Sequence, residues 1–308
     1  DSSTSRGLGD VYKRQAMRRY TSLIALCIGL VFHPAQAEQL PQRWVSAGGA
    51  LSEWIVELGA ESRLAGVDTT SQHPSSLKAL PSIGYQRQLS AEGVLSLRPD
   101  VLVGTEEMGP PPVLAQIRGA GVRVELFSSQ ADVDAVHGNL TRLGELLGKP
   151  EQAEQRFADY RQQLDALKTK VKAAQAATQA PGVILLVGHA GAKPMIAGKG
   201  TAGDWLIEQA GGRNLATNDG YKNFSSETLA ALNPEVVVFS DRALTGDAAL
   251  QALLKENPAL AASRAVRQKR LIDLDPTLLV GGLGPRLPST LQALAQAFYP
   301  AAKAQLAP

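Results

Sequence analysis

Cysteine is nearly absent from this chain. Its one thiol, Cys27, excludes a disulfide within the chain and any cysteine-based metal cluster. Long hydrophobic runs are missing too: Leu23 to Phe32 is apolar but too short to span a bilayer, and no later stretch of about 18 uncharged apolar residues follows it. Neither sign of charge prevails, with 31 Lys and Arg against 29 Asp and Glu, so nothing points to a nucleic acid or an anionic membrane surface as partner. The nucleophile elbow Gly-x-Ser-x-Gly does not occur. The glycine-rich stretch Gly198-Lys199-Gly200-Thr201-Ala202-Gly203 precedes a predicted helix, but it completes neither a Walker pattern nor a dinucleotide fingerprint.

What the N-terminal region does have is an export pattern. Met17 opens it, Arg18 and Arg19 supply the charge, Leu23 to Phe32 is the apolar region, and Ala35-Gln36-Ala37 reads as a cleavage site. Leu26, just before Cys27, is not the small residue a lipoprotein signal needs. The expectation is a periplasmic protein that starts near Glu38 and holds no thiol. Residues 1–37 carry five of the basic and two of the acidic side chains, which leaves 26 and 27 on the rest, a net −1.

From Trp44 onward, short apolar runs alternate with helical patterns, the signature of α/β layers with parallel strands. The clearest strands are Val101 to Val103, Val122 to Phe127, Val183 to Val187, Val236 to Phe239 and Leu271 to Leu274. Between the two groups, Ala153, Phe157, Tyr160, Leu164, Leu167, Val171 and Ala174 fall alternately four and three apart, one narrow stripe on a charged helix. Pro150 suits its first turn and Pro181-Gly182 its end. At 1.5 Å per residue such a helix is about 42 Å long, a strut rather than a linker.

The halves on either side of this helix repeat each other. Gly84-Tyr85-Gln86-Arg87-Gln88-Leu89-Ser90-Ala91-Glu92 leads to Pro99-Asp100 and a strand; Gly220-Tyr221-Lys222-Asn223-Phe224-Ser225-Ser226-Glu227 leads to Pro234-Glu235 and a strand. Glu53-Trp54 is likewise echoed by Asp204-Trp205. Two similar α/β lobes with parallel sheets, joined by one long α-helix and enclosing a ligand cleft, are expected. The division is then an extraneous upstream segment at 1–16, a signal at 17–37, a first lobe at 38–148, the connecting helix at 149–180 and a second lobe at 181–308.

This arrangement resembles the binding proteins of cobalamin, siderophore and haem ABC importers, over roughly Trp44 to Tyr299. The segment Gly84 to Gly93, with Pro194 to Ala202 and Gly284-Pro285-Arg286, is similar to the haem-binding branch. The resemblance implies a non-enzymatic, monomeric protein that carries haem to a permease dimer in the inner membrane. It makes Tyr85 the ligand of ferric haem iron, a role in which a hard phenolate oxygen favours Fe(III). A free phenol titrates near 10, so the site must favour the anion, and Arg87 two residues on supplies charge and a hydrogen bond. The plainer reading is a rim tyrosine beside a solvated arginine.

His189, after the strand Val183 to Val187, is a candidate second ligand or a polar cleft residue; Met195 is a weaker one, and Tyr221, the repeat partner of Tyr85, is expected to touch the porphyrin. Lys222, Lys193, Lys199 and Arg286 are candidates for the propionates. Glu92 and Glu227 open equivalent helices, where the helix dipole favours an acid in any protein; the resemblance adds that each meets basic residues of the permease. The alternatives are a siderophore or cobalamin binder on the same scaffold and, in another class, a periplasmic enzyme with a nucleotide-like lobe. A zinc carrier would need His73, His137 and His189 to converge.

Overall fold

The alternating apolar runs fold as two sheets with helices against them in the computed structural model, which describes residues 39–189 and 192–307. The export signal expected at 17–37, the segment before it and Cys27 lie outside the described residues. The first sheet contains β1 (Trp44–Ala47), β2 (Leu64–Val67), β3 (Val101–Thr105) and β4 (Arg123–Phe127), all parallel, in the order β2-β1-β3-β4. Helices α1 (Gly49–Glu57), α2 (Ala91–Ser96), α3 (Pro111–Gly119) and α4 (Val133–Leu147) make up the rest of this lobe. All five residues of β3 are buried, as expected of a parallel strand covered on both faces.

Next comes α5 (Pro150–Ala177), 28 residues with Pro150 at its start, ending four residues before Pro181. Six of the seven predicted stripe residues are buried, and Leu164 packs partly buried against the same core. The helix packs on α4 near its start. Tyr160 meets Trp54 of α1 edge-on, with ring centroids 5.4 Å apart. Further along, Val171 lies against Gly211 of the second lobe, where a Cβ would collide with it and φ is +86°. One stripe therefore serves both lobes, and from Pro41 to Pro308 the chain is one compact unit.

The second lobe contributes β5 (Gly182–His189), β6 (Ala192–Ala197), β7 (Arg213–Asn214), β8 (Tyr221–Asn223), β9 (Val236–Asp241) and β10 (Leu271–Asp273). Its helices include α6 (Ala202–Gln209), α7 (Ser226–Ala231), α8 (Gly246–Glu256), α9 (Arg264–Arg267) and α10 (Leu287–Phe298), and α5 packs on α10. The parallel path β7-β5-β9-β10 reproduces the first sheet's order β2-β1-β3-β4, so the sequence repeat is a repeat of topology. One addition distinguishes the lobes. β7 covers only the first two residues of β5, and the free edge from Leu186 to His189 takes β6 antiparallel, with β8 antiparallel beyond it. The second sheet is therefore mixed, a parallel set carrying an antiparallel pair.

Arg286 ties the halves together. It meets Glu53 of α1 in bidentate fashion, Nε to Oε2 at 2.8 Å and Nη2 to Oε1 at 2.7 Å, and Asp275 through Nη1 at 2.8 Å. His73 of the first lobe reaches the same Asp275 carboxylate at 2.7 Å, and the Trp54 indole donates to the Leu283 carbonyl at 3.0 Å. Arg286 is thus committed to a structural contact rather than available for a propionate. Burial opposes the charge on Asp275, but bonds from Thr277 and Arg286 outweigh it and hold the carboxyl below its usual range.

Candidate ligand cleft

Parallel strands direct their carboxyl ends toward the crevice where ligands bind in open α/β sheets, and the loops after them supply most of this site. The first wall is the turn after Gly84, whose φ of +84° lets the chain reverse. The Thr69 amide donates to the Gly84 carbonyl at 2.9 Å, and the Gln88 amide closes a turn on the Tyr85 carbonyl at 2.8 Å. Gly109 donates to Gln86 and accepts from Leu89, both at 2.9 Å. Gln86 and Leu89 are buried, while Tyr85, Arg87 and Gln88 line a cavity of about 390 Å³.

Across that cavity stand Val187 of β5, Met195 of β6, Tyr221 of β8, Leu279, Val280 and Arg242. Tyr85, Arg87, Met195 and Tyr221 therefore line one cavity. The β6–β8 pair explains why: Met195 is paired with Asn223, two residues from Tyr221. His189 ends β5, paired through its backbone with Ala192, and its side chain lies outside the described residues.

Two guanidinium groups attend Tyr85. Arg87 is ion-paired with Glu107, Nη2 to Oε2 at 2.8 Å. That bond raises its pKa against the cost of burial, and the charge interaction with Tyr85 adds to the rise. The second group is Arg242, whose Cζ lies 5.2 Å from the centroid of the Tyr85 ring, within cation–π range. By contrast, desolvation pushes the Tyr221 phenol up, which suits a neutral side chain packing on a ligand.

Arg242 and Glu107 escaped the sequence reading, although the repeat contained the signal. Aligning Pro99-Asp100-Val101 with Pro234-Glu235-Val236 puts Glu107 opposite Arg242, each just past the end of an equivalent strand. One anchors Arg87 and the other covers Tyr85.

Tyr85, Arg242, Pro276 and Val280 also line a second chamber of about 620 Å³. Its remaining wall is polar: threonines 69, 70, 245 and 277, Gln72, His73, Lys78 and three aspartates. Glu92 and Glu227 sit away from both chambers, exposed in the first turns of α2 and α7. The caps match as well, with Ser90 accepting from the Gly93 amide and Ser225 from the Thr228 amide. The Glu227 carboxyl is held below its usual value by its own backbone amide and by Ser225, with Lys193 adding charge. Of the histidines a zinc site would need, His73 pairs with Asp275 and His137 with Glu154 on the α4–α5 seam, so those two do not converge.

Residues 45–278 match the periplasmic binding protein family. Among solved structures, a periplasmic haem-binding protein from Pseudomonas aeruginosa is 62% identical, over 85% of this chain and 94% of that one, with a TM-score of 0.84. A periplasmic haem-binding protein from Roseiflexus sp. RS-1, solved in apo form, is 36% identical over 85% of this chain and 99% of that one, with a TM-score of 0.76. The vitamin B12-binding protein of Yersinia pseudotuberculosis serotype O:1b is 25% identical over 220 residues, 70% of this chain and 75% of that protein.

Proposed function

The chain belongs to the periplasmic binding protein family, and we propose that it captures haem in the cleft through Tyr85 and delivers it to the permease of an ABC importer. The observation that carries this reading is the constellation lining one cavity: the Tyr85 phenol with Arg242 over its ring and Arg87 in the same wall, together with Val187, Met195 and Leu279. Iron in the ferric state takes a hard anionic oxygen, and adjacent cations stabilise that anion. The apolar wall takes the macrocycle by removing its faces from water. Arg87, anchored by Glu107, acts through Tyr85 rather than on the iron. Identity of 62% to a haem-binding protein favours this cargo over the corrinoid of the 25% relative.

The protein is read as an exported monomer, working in the periplasm after cleavage near Ala37, with no chemistry of its own on the cargo. Glu92 and Glu227, equivalent by the repeat and exposed on separate lobes, are read as the two contacts with a two-fold permease dimer. The experiment that tests the cargo is a titration of the purified protein with haemin, cyanocobalamin and a ferric siderophore, followed by absorption and by thermal unfolding. Haemin should shift the Soret band and raise Tm, and the other two should do neither. Stabilisation by cyanocobalamin with no response to haemin would overturn the reading.

A further inference from the structure

Tyr85 and Arg87 line the cleft, and Gln86 between them turns the other way, with none of its surface exposed. Neither its amide nitrogen nor its amide oxygen has a partner among the described residues. The oxygen lies 3.2 Å from the point that a Cβ on Gly48 would occupy, so this glycine makes room for the amide. Gly48 cannot satisfy it. Its N–H donates to Asp68 at 3.0 Å, and its carbonyl accepts from the Ser52 amide and hydroxyl at 3.0 and 3.1 Å. Asp68 is in turn bound by the Thr70 and Ser71 hydroxyls, both at 2.8 Å. A further unpartnered group adjoins the same spot. Thr105, fully buried with its hydroxyl unbonded, follows the Gly104 that is in register with Ala47, and this continues the register with Thr105 opposite Gly48.

Buried polar groups without partners are destabilising, and an apolar side chain of the same shape would avoid that cost. A buried water relieves it where about two to four polar groups converge. The Tyr160 hydroxyl, a single group in an apolar cluster, does not meet that condition; the amide and hydroxyl beside Gly48 do. Building on the haem reading above, we propose that Gln86 and Thr105 hold one ordered water beneath the Tyr85 turn, and that Gln86 is a positioning residue for the iron ligand. Its carbonyl already accepts from the Gly109 amide at 2.9 Å. Tethered at backbone and side chain, it fixes the direction in which Tyr85 and Arg87 leave the turn. Gln86 makes no contact with the cargo and acts through Tyr85.

The test uses Gln86→Met, Thr105→Val and the double variant. A high-resolution crystal structure of the wild type should show a water bonded to both side chains. The double variant replaces both polar groups by apolar ones of similar size, so it should keep the wild-type Tm. Hydrogen exchange should nevertheless quicken at the Gln88 amide, which closes the turn on the Tyr85 carbonyl. Haemin should bind roughly three- to tenfold more weakly, the weight of one hydrogen bond. Because a single water is shared, each single variant should lose about as much as the double, not half of it. A wild-type structure with no water there, additive losses, or variants that match the wild type in both exchange and haemin affinity would overturn the proposal while leaving the haem reading intact. A fall in Tm that tracks the loss of haemin would reduce Gln86 to a packing residue. A wild type that failed to bind haemin would sink the haem reading and the positioning role with it, whereas the crystal structure and the exchange rates would still decide the water.

Discussion

Two arginines reach Tyr85 by different routes. Arg87 comes from the same turn and is fixed by Glu107; Arg242 comes from the other lobe and covers the ring. Removing either takes a positive charge from the phenolate, so Arg87→Ala and Arg242→Ala should each raise the pH midpoint of the haem-bound Soret transition. Arg87→Ala should have the larger effect, because it also leaves the Glu107 carboxylate unneutralised nearby. Adding Glu107→Gln to that variant should recover part of the shift. Equal midpoints in all these proteins, measured by pH titration of the absorption, would separate the arginines from the ligand. Arg87 was legible because it sits two residues from Tyr85 in one turn. Arg242 is 157 positions further on by number, and only the fold, or the register of the repeat, brings it to the ring.

The elements read most easily were those whose pattern is set locally. The stripe of α5 obeys a single period from Ala153 to Ala174, and all of its members pack inward. Strands β3, β5 and β9 carry buried runs of Val, Ile and Leu and declare themselves. β6, β7 and β8 do not: β7 and β8 have two and three residues, and β6 forms where an edge of β5 is free, a tertiary circumstance no local pattern encodes. Two tyrosines, one within α5 and one at the C-terminal end of α10, give a paired prediction. The Tyr160 hydroxyl is buried without a partner and desolvation drives its pKa far up, whereas the Tyr299 hydroxyl donates to the Gly211 carbonyl at 2.6 Å. Tyr160→Phe should therefore leave stability unchanged or slightly raised, and Tyr299→Phe should lower it by about 1 kcal/mol. Urea denaturation of the two variants checks this, and the reverse order would refute it.

At the scale of the molecule, two lobes share one helix and one ionic clamp. Arg286→Met leaves Glu53 buried and unpaired, and breaking such a pair costs about 3–5 kcal/mol. The clamp also has an acid signature. Asp275 is depressed in the folded state, so its contribution is present above its unfolded value of about 3.8 and is lost as pH falls below that value. Denaturation midpoints between pH 5 and 3 should fall more steeply in the wild type than in Asp275→Asn. The outward face carries the delivery prediction. A charge reversal at an interface costs far more than the loss of an exposed pair, so Glu92→Lys with Glu227→Lys should impair haem uptake into permease vesicles much more than the two alanines, with haem affinity spared in both. Wild-type uptake by the doubly reversed protein would reduce the two residues to helix-start acids. The central claim is that haem iron is held by Tyr85, and the direct measurement is the absorption spectrum and haemin affinity of Tyr85→Phe beside the wild type. The wild type should show the charge-transfer features of a ferric phenolate, and the variant should lose them together with most of its affinity; an unchanged spectrum and affinity in Tyr85→Phe would contradict the account.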